Sequence, residues 1–429
     1  MYRLLHHQDE SLRFELDSDE SMGHRFTVVL GPNGTGKSQL LRSIAEAHRV
    51  GSAKSGTHAF DSADGSHIDD APSALLILSN MVTDVFVNTS RRRDSYRYLG
   101  LRQASNNTST GALRDATSAA ILECFRSSDV ERYLGPVLAT LGGDRFFASF
   151  ERSRARSKRS DGEAELVGKF LSALELDESR SHYASGDALL NELRHFDASV
   201  PRDGGVFDLD ASELVPFWSI CARFELEAMD LIRLLRRLGF ADVRVHVRLG
   251  DRVVDIDALS TGQLLLLSTF ARVAAHARPR SLIIIDEPEA GLHPNWQSAW
   301  IPLMRAAIPT EFGCHFFIAT HSPYLVSDAD DVLVPEGQWG TFVQFDEPYQ
   351  GRSVENILYR VFGARVAGNL MVENDLRTLV QLISRGYPKP APSQLSEAEG
   401  ALHRLRGLQG ADTEQLNLVV AQAEEMLAQ

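Results

Sequence analysis

The sequence predicts an α/β protein whose core is a parallel sheet, interrupted in the middle by a helical insertion. Three observations carry this. The apolar run Phe26-Thr27-Val28-Val29-Leu30 leads directly into Gly31-Pro32-Asn33-Gly34-Thr35-Gly36-Lys37-Ser38, the strand-to-loop-to-helix order of a phosphate loop. Far downstream, Leu282-Ile283-Ile284-Ile285 is apolar at every position and ends in Asp286-Glu287, as a strand covered on both faces of a parallel sheet should be. Between them, residues 112–240 place apolar side chains three and four apart, the period of amphipathic helices.

Taken in chain order, residues 1–30 read as short strands: Arg13-Phe14-Glu15-Leu16 alternates, and 26–30 is the buried strand before the loop. A helix follows from Lys37 to about Ala47. Residues 51–72, rich in Gly, Ser, Asp and His, read as a loop, and Ala74-Leu75-Leu76-Ile77-Leu78 as the next strand, followed by Ser79 and Asn80. In the insertion, segments 112–126, 166–176, 188–196 and 213–238 carry the helical period, with polar breaks at 152–163 and 201–209. They are too interrupted for the sustained heptads of a long coiled coil.

Residues 243–249 alternate, Gly250-Asp251 turns, and Val253-Val254-Asp255-Ile256 returns. This hairpin delivers the chain to Leu259-Ser260-Thr261-Gly262-Gln263, which opens a helix through about His276. A helix over 294–307 and a strand over 315–319 follow, and the tail from about Val366 reads as helices broken at 388–393. No internal repeat or low-complexity block interrupts this order. Four units result: an N-terminal lobe with the phosphate loop (1–110), the helical insertion (111–240), a C-terminal lobe with the acidic strand end (241–365) and a helical tail (366–429).

Composition narrows the class. At 43% hydrophobic and 24% charged residues the chain is an ordinary globular one. No apolar run approaches the roughly 20 residues of a membrane helix; residues 264–267 stop at Ser268. The start runs from Met1-Tyr2-Arg3-Leu4-Leu5 into Asp9 and Glu10 without a signal-peptide core, so a cytoplasmic protein with no membrane partner is expected. Cys124, Cys221 and Cys314 are far apart and lack metal-ligand spacing, the pattern of buried thiols in a reducing compartment. A formal net charge of −14 excludes a surface that coats nucleic acid throughout. Three local patches remain: Arg91-Arg92-Arg93, residues 152–159, and Arg233, Arg236 and Arg237. They read as solvated faces or partner contacts before they read as a DNA track, because phosphate binding needs several cations on one surface.

The motifs carry chemistry. In the loop, Gly31, Gly34 and Gly36 permit a backbone that points N–H groups of residues 33–38 (Asn33, Gly34, Thr35, Gly36, Lys37 and Ser38) at phosphates. Lys37 would reach the β- and γ-phosphates, and Ser38 would offer its hydroxyl to Mg²⁺. Asp286 would hold magnesium through water, and Glu287 would orient and polarise the attacking water. His321, just past Phe316-Phe317-Ile318-Ala319-Thr320, is placed to contact the γ-phosphate. Ser260 and the Gly262 amide begin a helix, where the dipole favours an anion. Each motif has a plainer reading: solvated or capping acids, a structural histidine, a Ser-capped helix. Their order along one chain favours the chemistry.

That order resembles the ATP-binding-cassette (ABC) ATPases, with 259–263 as a Leu-Ser-x-Gly-Gln-like signature in which Thr261 replaces the commoner glycine. The resemblance implies ATP and Mg²⁺ as cofactors. It also implies two heads that close around two ATP molecules, with Ser260, Gly262 and Gln263 completing the site of the opposing copy. Asp286-Glu287-Pro288-Glu289-Ala290-Gly291-Leu292-His293-Pro294 and Ala319-Thr320-His321-Ser322-Pro323 look like the SMC-type and OLD-type branch, soluble heads of DNA-repair and phage-defence machines. The long interval between Ser38 and Leu259 agrees with that branch. Family heads usually carry a glutamine after the strand corresponding to 74–78; here Asn80 would take its place beside magnesium.

OLD nucleases continue into a TOPRIM domain. The chain after Leu370-Met371-Val372-Glu373-Asn374-Asp375-Leu376 is too short for one and lacks an Asp-x-Asp pair, so Glu373 and Asp375 read as helix-face acids. Such a head resembles the ATPase subunits of two-gene bacterial anti-phage defence systems, among them the Septu ATPase, which partners an HNH nuclease. Residues 353–363 look like the segment those ATPases carry after the histidine. The expected function is an ATPase that dimerises, or assembles further, and gates a separate nuclease or toxin. A DNA-repair clamp that binds DNA, a scaffold that uses ATP only to assemble, and a transporter head are the alternatives.

Overall fold

Parallel strands whose residues are apolar on both faces make the centre of the molecule, and the reason is visible residue by residue. The computed structural model describes residues 1–9, 11–17, 23–49, 71–81, 84–87, 95–100, 110–126, 130–151, 162–174, 186–201, 205–209, 212–336, 339–346, 370–384, 392–406 and 414–427. The chain enters through β1 (His6–Gln8) and β2 (Arg13–Glu15), an antiparallel pair, and β3 (Arg25–Leu30) runs into α1 (Lys37–Arg49). Next come β4 (Leu75–Ser79), β5 (Tyr96–Tyr98), α2 (Thr110–Arg126), α3 (Val130–Thr140), β6 (Gly143–Glu151), α4 (Glu163–Ala173), α5 (Gly186–Ser199) and β7 (Phe207–Asp208). They are followed by α6 (Val215–Arg223), α7 (Ala228–Leu238), β8 (Asp242–Leu249), β9 (Arg252–Asp255) and α8 (Thr261–His276). Then β10 (Leu282–Asp286), α9 (Pro294–Ser298), α10 (Trp300–Ala306), β11 (His315–Thr320), β12 (Asp331–Pro335) and β13 (Phe342–Gln344) complete the sheet region.

The main sheet has seven strands in the order β13-β12-β3-β11-β10-β4-β5, parallel except for the β12–β13 edge pair. Successive side chains on a strand face opposite ways, and here both sets are apolar. Val29, Leu75, Ile77, Leu282, Ile284 and Phe317 share one buried cluster with Leu40, Leu41 and Ile44 of α1. Their alternates, such as Phe26, Val28, Leu76, Ile283, Ile285 and Phe316, share the other with Leu266, Leu267 and Phe270 of α8 and Trp300 of α10. Burying each such side chain is worth about 1.5–3 kcal/mol. The register then sets Asp286 between Ser79 and Ala319 at the carboxyl ends of the strands, where ligands bind in open parallel sheets.

The insertion is largely helical, and it departs from the expected segments in three places. Within it β6, nine residues long, pairs antiparallel with β8 from Asp242 to Leu249, placing Phe150 opposite Val243 and Ala148 opposite Val245. Phe146, Ala148 and Phe150 share one face of the strand and are buried; the period of two was present but short, and its partner lies about a hundred residues on. With β7 and β9 these strands make a four-stranded antiparallel sheet. The helix α3 was not anticipated. The single helix expected over 213–238 is split, because Glu225 takes a left-handed φ of 51° and Glu227 starts α7 with a capping box to Asp230. Gly239, at φ 70°, ends α7. Likewise, the helix over 294–307 breaks at Ala299 into α9 and α10.

The three tail helices α11 (Leu370–Ser384), α12 (Pro392–Arg406) and α13 (Glu414–Leu427) pack on one another around Leu379, Ala401, Leu405 and Ala423. Asp375 is buried and takes two 2.9 Å hydrogen bonds from Arg404, so it serves this helix contact. Cys124, Cys221 and Cys314 are all buried. Among the described residues, no helix is long and apolar enough to cross a membrane. The basic runs at 91–93 and 152–159, the loop over 51–70, and the segment 353–363 lie outside the described residues.

Candidate active site

The phosphate loop is built as its glycines require. Gly34 and Gly36 adopt φ of 85° and 95°, a region open to glycine and strained for other residues. At Gly31 the constraint is space, since a Cβ there would come 3.1 Å from Pro335 Cδ. Thr35 Oγ1 closes the turn by donating to the Pro32 carbonyl at 2.9 Å. Lys37 is buried, and its ammonium donates to the carbonyls of Gly31 at 2.9 Å and Pro32 at 3.1 Å. Asn33 and Gly34 are exposed at the loop's crest.

Ser38 and Asp286 meet across the sheet's carboxyl edge: the Ser38 hydroxyl donates to Asp286 Oδ1 at 2.9 Å. Asp286 is buried, and burial pushes its carboxyl up to about 6; the Ser38 hydrogen bond and Lys37 oppose this, while Asp84 and Glu289 add to it. Asp84 is therefore a second buried carboxylate near the strand end, held by the Tyr98 hydroxyl and the Phe86 amide. Two hard oxygen donors at this spacing, beside a cationic loop, fit a magnesium ion carried by a phosphate ligand.

Glu287 is the strained residue of the site. Its φ of 51° is left-handed, a conformation that costs a non-glycine residue about 1–3 kcal/mol and recurs at active sites. Its amide is held by Ala319 O at 2.9 Å, and its Oε2 lies 2.6 Å from His321 Nδ1. Burial raises the Glu287 carboxyl pKa, and the neighbouring Glu289 raises it further.

Glu289, to which the sequence reading assigned no role, organises the histidine turn. It is 4% exposed, and its Oε1 accepts from the Thr320 hydroxyl, from His321 N at 2.9 Å and from Ser322 N at 3.2 Å. Ser322 in turn donates to Gln297 Oε1 on α9 at 2.6 Å. Its signal in the sequence was only an acid three residues after the strand-ending Asp286. Glu287, Glu289 and His321 bring three ligand-type atoms within 4.8 Å of one another. With Glu289 Oε1 already accepting three donors, Ser38 and Asp286 are the better pair for magnesium.

The remaining sequence candidates lie on α8 and at Asn80. Ser260 is the N-cap of α8: its Oγ accepts from Gln263 N, and Gln263 Oε1 accepts from Ser260 N at 2.9 Å. Ser260 and Thr261 are exposed at this helix start, and a capping box of this kind stabilises by about 1 kcal/mol. Gly262 sits so close to the 288–291 turn that a Cβ would lie 2.8 Å from the Gly291 carbonyl oxygen. Asn80 does not stand free beside Asp286. Its amide donates to Thr269 Oγ1 at 3.2 Å and accepts from Arg272 at 3.1 Å, so its polar atoms engage α8. Of the basic candidates, Arg236 is paired with Asp115 and Asp242, and Arg237 lies 5.9 Å over the Phe170 ring.

Residues 26–327 match the family described as "AAA domain, putative AbiEii toxin, Type IV TA system". Among solved structures, the chain is similar to an Smc head bound to the C-winged helix domain of ScpA, at 14% identity over 80% of this chain and 96% of that one, TM-score 0.32. It is also similar to an ATP-binding cassette of an ABC transporter in its ADP conformation, at 15% identity over 84% and 95%, TM-score 0.32. A third is the Smc head with an extended coiled coil, bound to the C-terminal domain of ScpA from Pyrococcus furiosus, at 12% identity over 80% and 96%, TM-score 0.31. These likenesses are distant.

Proposed function

We propose that this chain, which belongs to that AAA-domain family and has the α/β fold of an ABC-like P-loop NTPase, binds and hydrolyses ATP as a dimerising head that gates a separate effector. The observation that carries the reading is the convergence of the loop lysine and two side-chain pairs at one sheet edge. Lys37 lies in its loop, Ser38 is 2.9 Å from Asp286, and Glu287 is held left-handed 2.6 Å from His321.

The residues then divide the chemistry. The N–H groups of 33–38 and the Lys37 ammonium bind the phosphates, the ammonium exchanging its carbonyl partners for phosphate oxygens. Ser38 and Asp286 would hold Mg²⁺, which would supply positive charge to offset that of the phosphates. Glu287, whose burial makes it a stronger base than an exposed glutamate, orients the attacking water, and His321 fixes the Glu287 carboxylate and meets the γ-phosphate. Ser260, exposed at the start of α8, and Gly262 in the same first turn complete the site of an opposing copy, so ATP joins two heads and hydrolysis releases them.

Two substitutions test this. Glu287→Gln is expected to accumulate as an ATP-bound dimer by light scattering in Mg-ATP; the same dimer population with and without ATP would refute the head-closing reading. Lys37→Ala is expected to abolish turnover, and unchanged hydrolysis would refute the site itself. The effector reading, a nuclease or toxin in anti-phage defence, is tested by native pull-down of the Glu287→Gln protein from its host in Mg-ATP. A stoichiometric nuclease supports it. Recovery with DNA and repair factors instead would make this a genome-maintenance clamp.

A further inference from the structure

Trp339 is a large aromatic that the fold holds beside the phosphate loop and leaves exposed. β12 ends at Pro335, in contact range of Gly31, and the turn toward β13 brings the indole onto the loop. Its Nε1–H donates to the Gly34 carbonyl at 3.2 Å. A Cβ on Gly36 would lie 3.3 Å from indole Cε2 and Cζ2, so this glycine also makes room for the ring. The turn is anchored on the other side: Arg13 N donates to Gly340 O at 3.0 Å, Thr341 bridges Arg13, and Gly340 adopts φ 86° where any Cβ would strike Ser11 O. Despite this anchoring, Trp339 is 55% exposed.

Burial of an indole is among the larger gains available to a fold, and this one is forgone although the adjoining Gly340 is tied to Arg13. Its polar atom is satisfied by the loop, which orients the ring edge, and the rest of the π surface stays open next to the phosphate cradle. A nucleotide whose phosphates lie on the N–H groups of 33–38 must lead its ribose and base out past the loop. A flat apolar ring, held at that margin by its hydrogen bond to Gly34, is what a purine stacks on.

We propose that Trp339 is the stacking platform for the purine base of the bound nucleoside triphosphate. This rests on the reading of residues 31–38 as a triphosphate site and adds the part of the site that distinguishes a nucleotide from bare phosphate.

The experiment compares wild type, Trp339→Phe and Trp339→Ala by equilibrium binding of Mg-ATP and of inorganic tripolyphosphate. Base–aromatic stacking predicts an ATP affinity about tenfold weaker in Trp339→Ala, most of it recovered in Trp339→Phe, with tripolyphosphate binding equal in all three proteins. Unchanged ATP affinity in Trp339→Ala overturns the proposal. An equal loss for ATP and tripolyphosphate also overturns it, because Trp339 would then be a prop for the loop. A wild type that binds tripolyphosphate as tightly as ATP overturns the stacking alone. A wild type that binds neither sinks the triphosphate site, and the stacking with it.

Discussion

Asn80 accepts a 3.1 Å hydrogen bond from the Arg272 guanidinium, and this contact ties the end of β4 to the helix that Ser260 caps. Arg272 is 3% exposed; it also donates to Ser268 O at 3.1 Å and to Leu99 O. Asn80 completes the link by donating to Thr269 Oγ1. One amide therefore joins the sheet edge that carries Asp286 to the helix that presents Ser260 and Gly262.

Asn80→Ala removes an acceptor from a buried guanidinium, which should cost about 1–3 kcal/mol of stability, read by urea unfolding. ATP affinity should change less than threefold while ATP-dependent dimerisation weakens by tenfold or more. An equal loss in both would place Asn80 at the nucleotide instead.

Gly262→Ala should disturb α8 at its start. The new Cβ would sit 2.8 Å from the Gly291 carbonyl oxygen, a contact with backbone that only movement of the helix or the turn relieves. Overpacking of this kind costs about 1–3 kcal/mol. We expect monomeric ATP binding to persist and dimer formation to fall; a dimerisation constant equal to wild type would show that the signature glycine is not sterically required.

Glu289→Ala and Glu289→Gln separate support from charge. The alanine variant strips the His321 amide of its acceptor and frees the Thr320 hydroxyl, at a cost of about 2 kcal/mol for the unmet buried donors, and turnover should fall at least tenfold. The glutamine variant keeps an acceptor oxygen and should recover most of the turnover. Equal turnover in the two variants would show that the hydrogen bonds do not position His321.

Stability should decline in acid through His315. This residue is fully buried, its Nδ1 accepting from Leu4 N at 2.9 Å and its Nε2 bonding Thr27 Oγ1 at 3.0 Å. Burial, reinforced by Arg3 and Arg25, holds its pKa well below the ordinary 6.5. In the folded protein it is neutral, whereas the unfolded chain takes up a proton as pH falls below 6.5. Its contribution is therefore complete above pH 6.5 and is lost as pH falls toward the depressed folded value, at about 1.4 kcal/mol per pH unit. Urea unfolding at pH 7.0 and 5.5 should show a steeper loss for wild type than for His315→Gln; identical slopes would rule out His315 as the titrating group.

Much of this protein was legible along the chain. The strands β3, β4, β10 and β11 announce themselves because their central residues are mostly apolar, as covering both faces requires. The phosphate loop is legible because only glycine accepts the φ of Gly34 and Gly36, and the helix starts at Lys37 and Thr261 because the loop and Ser260 precede them. These are local rules, written in neighbouring residues. The pairing of β6 with β8, the hold of Arg272 on Asn80, the seat of the 320–322 turn on Glu289, the left-handed Glu287 and the approach of Trp339 to Gly36 join residues apart in sequence or depend on surrounding packing. No periodicity encodes such contacts. They exist because packing of the whole chain brings those groups together, so tertiary structure alone decided them.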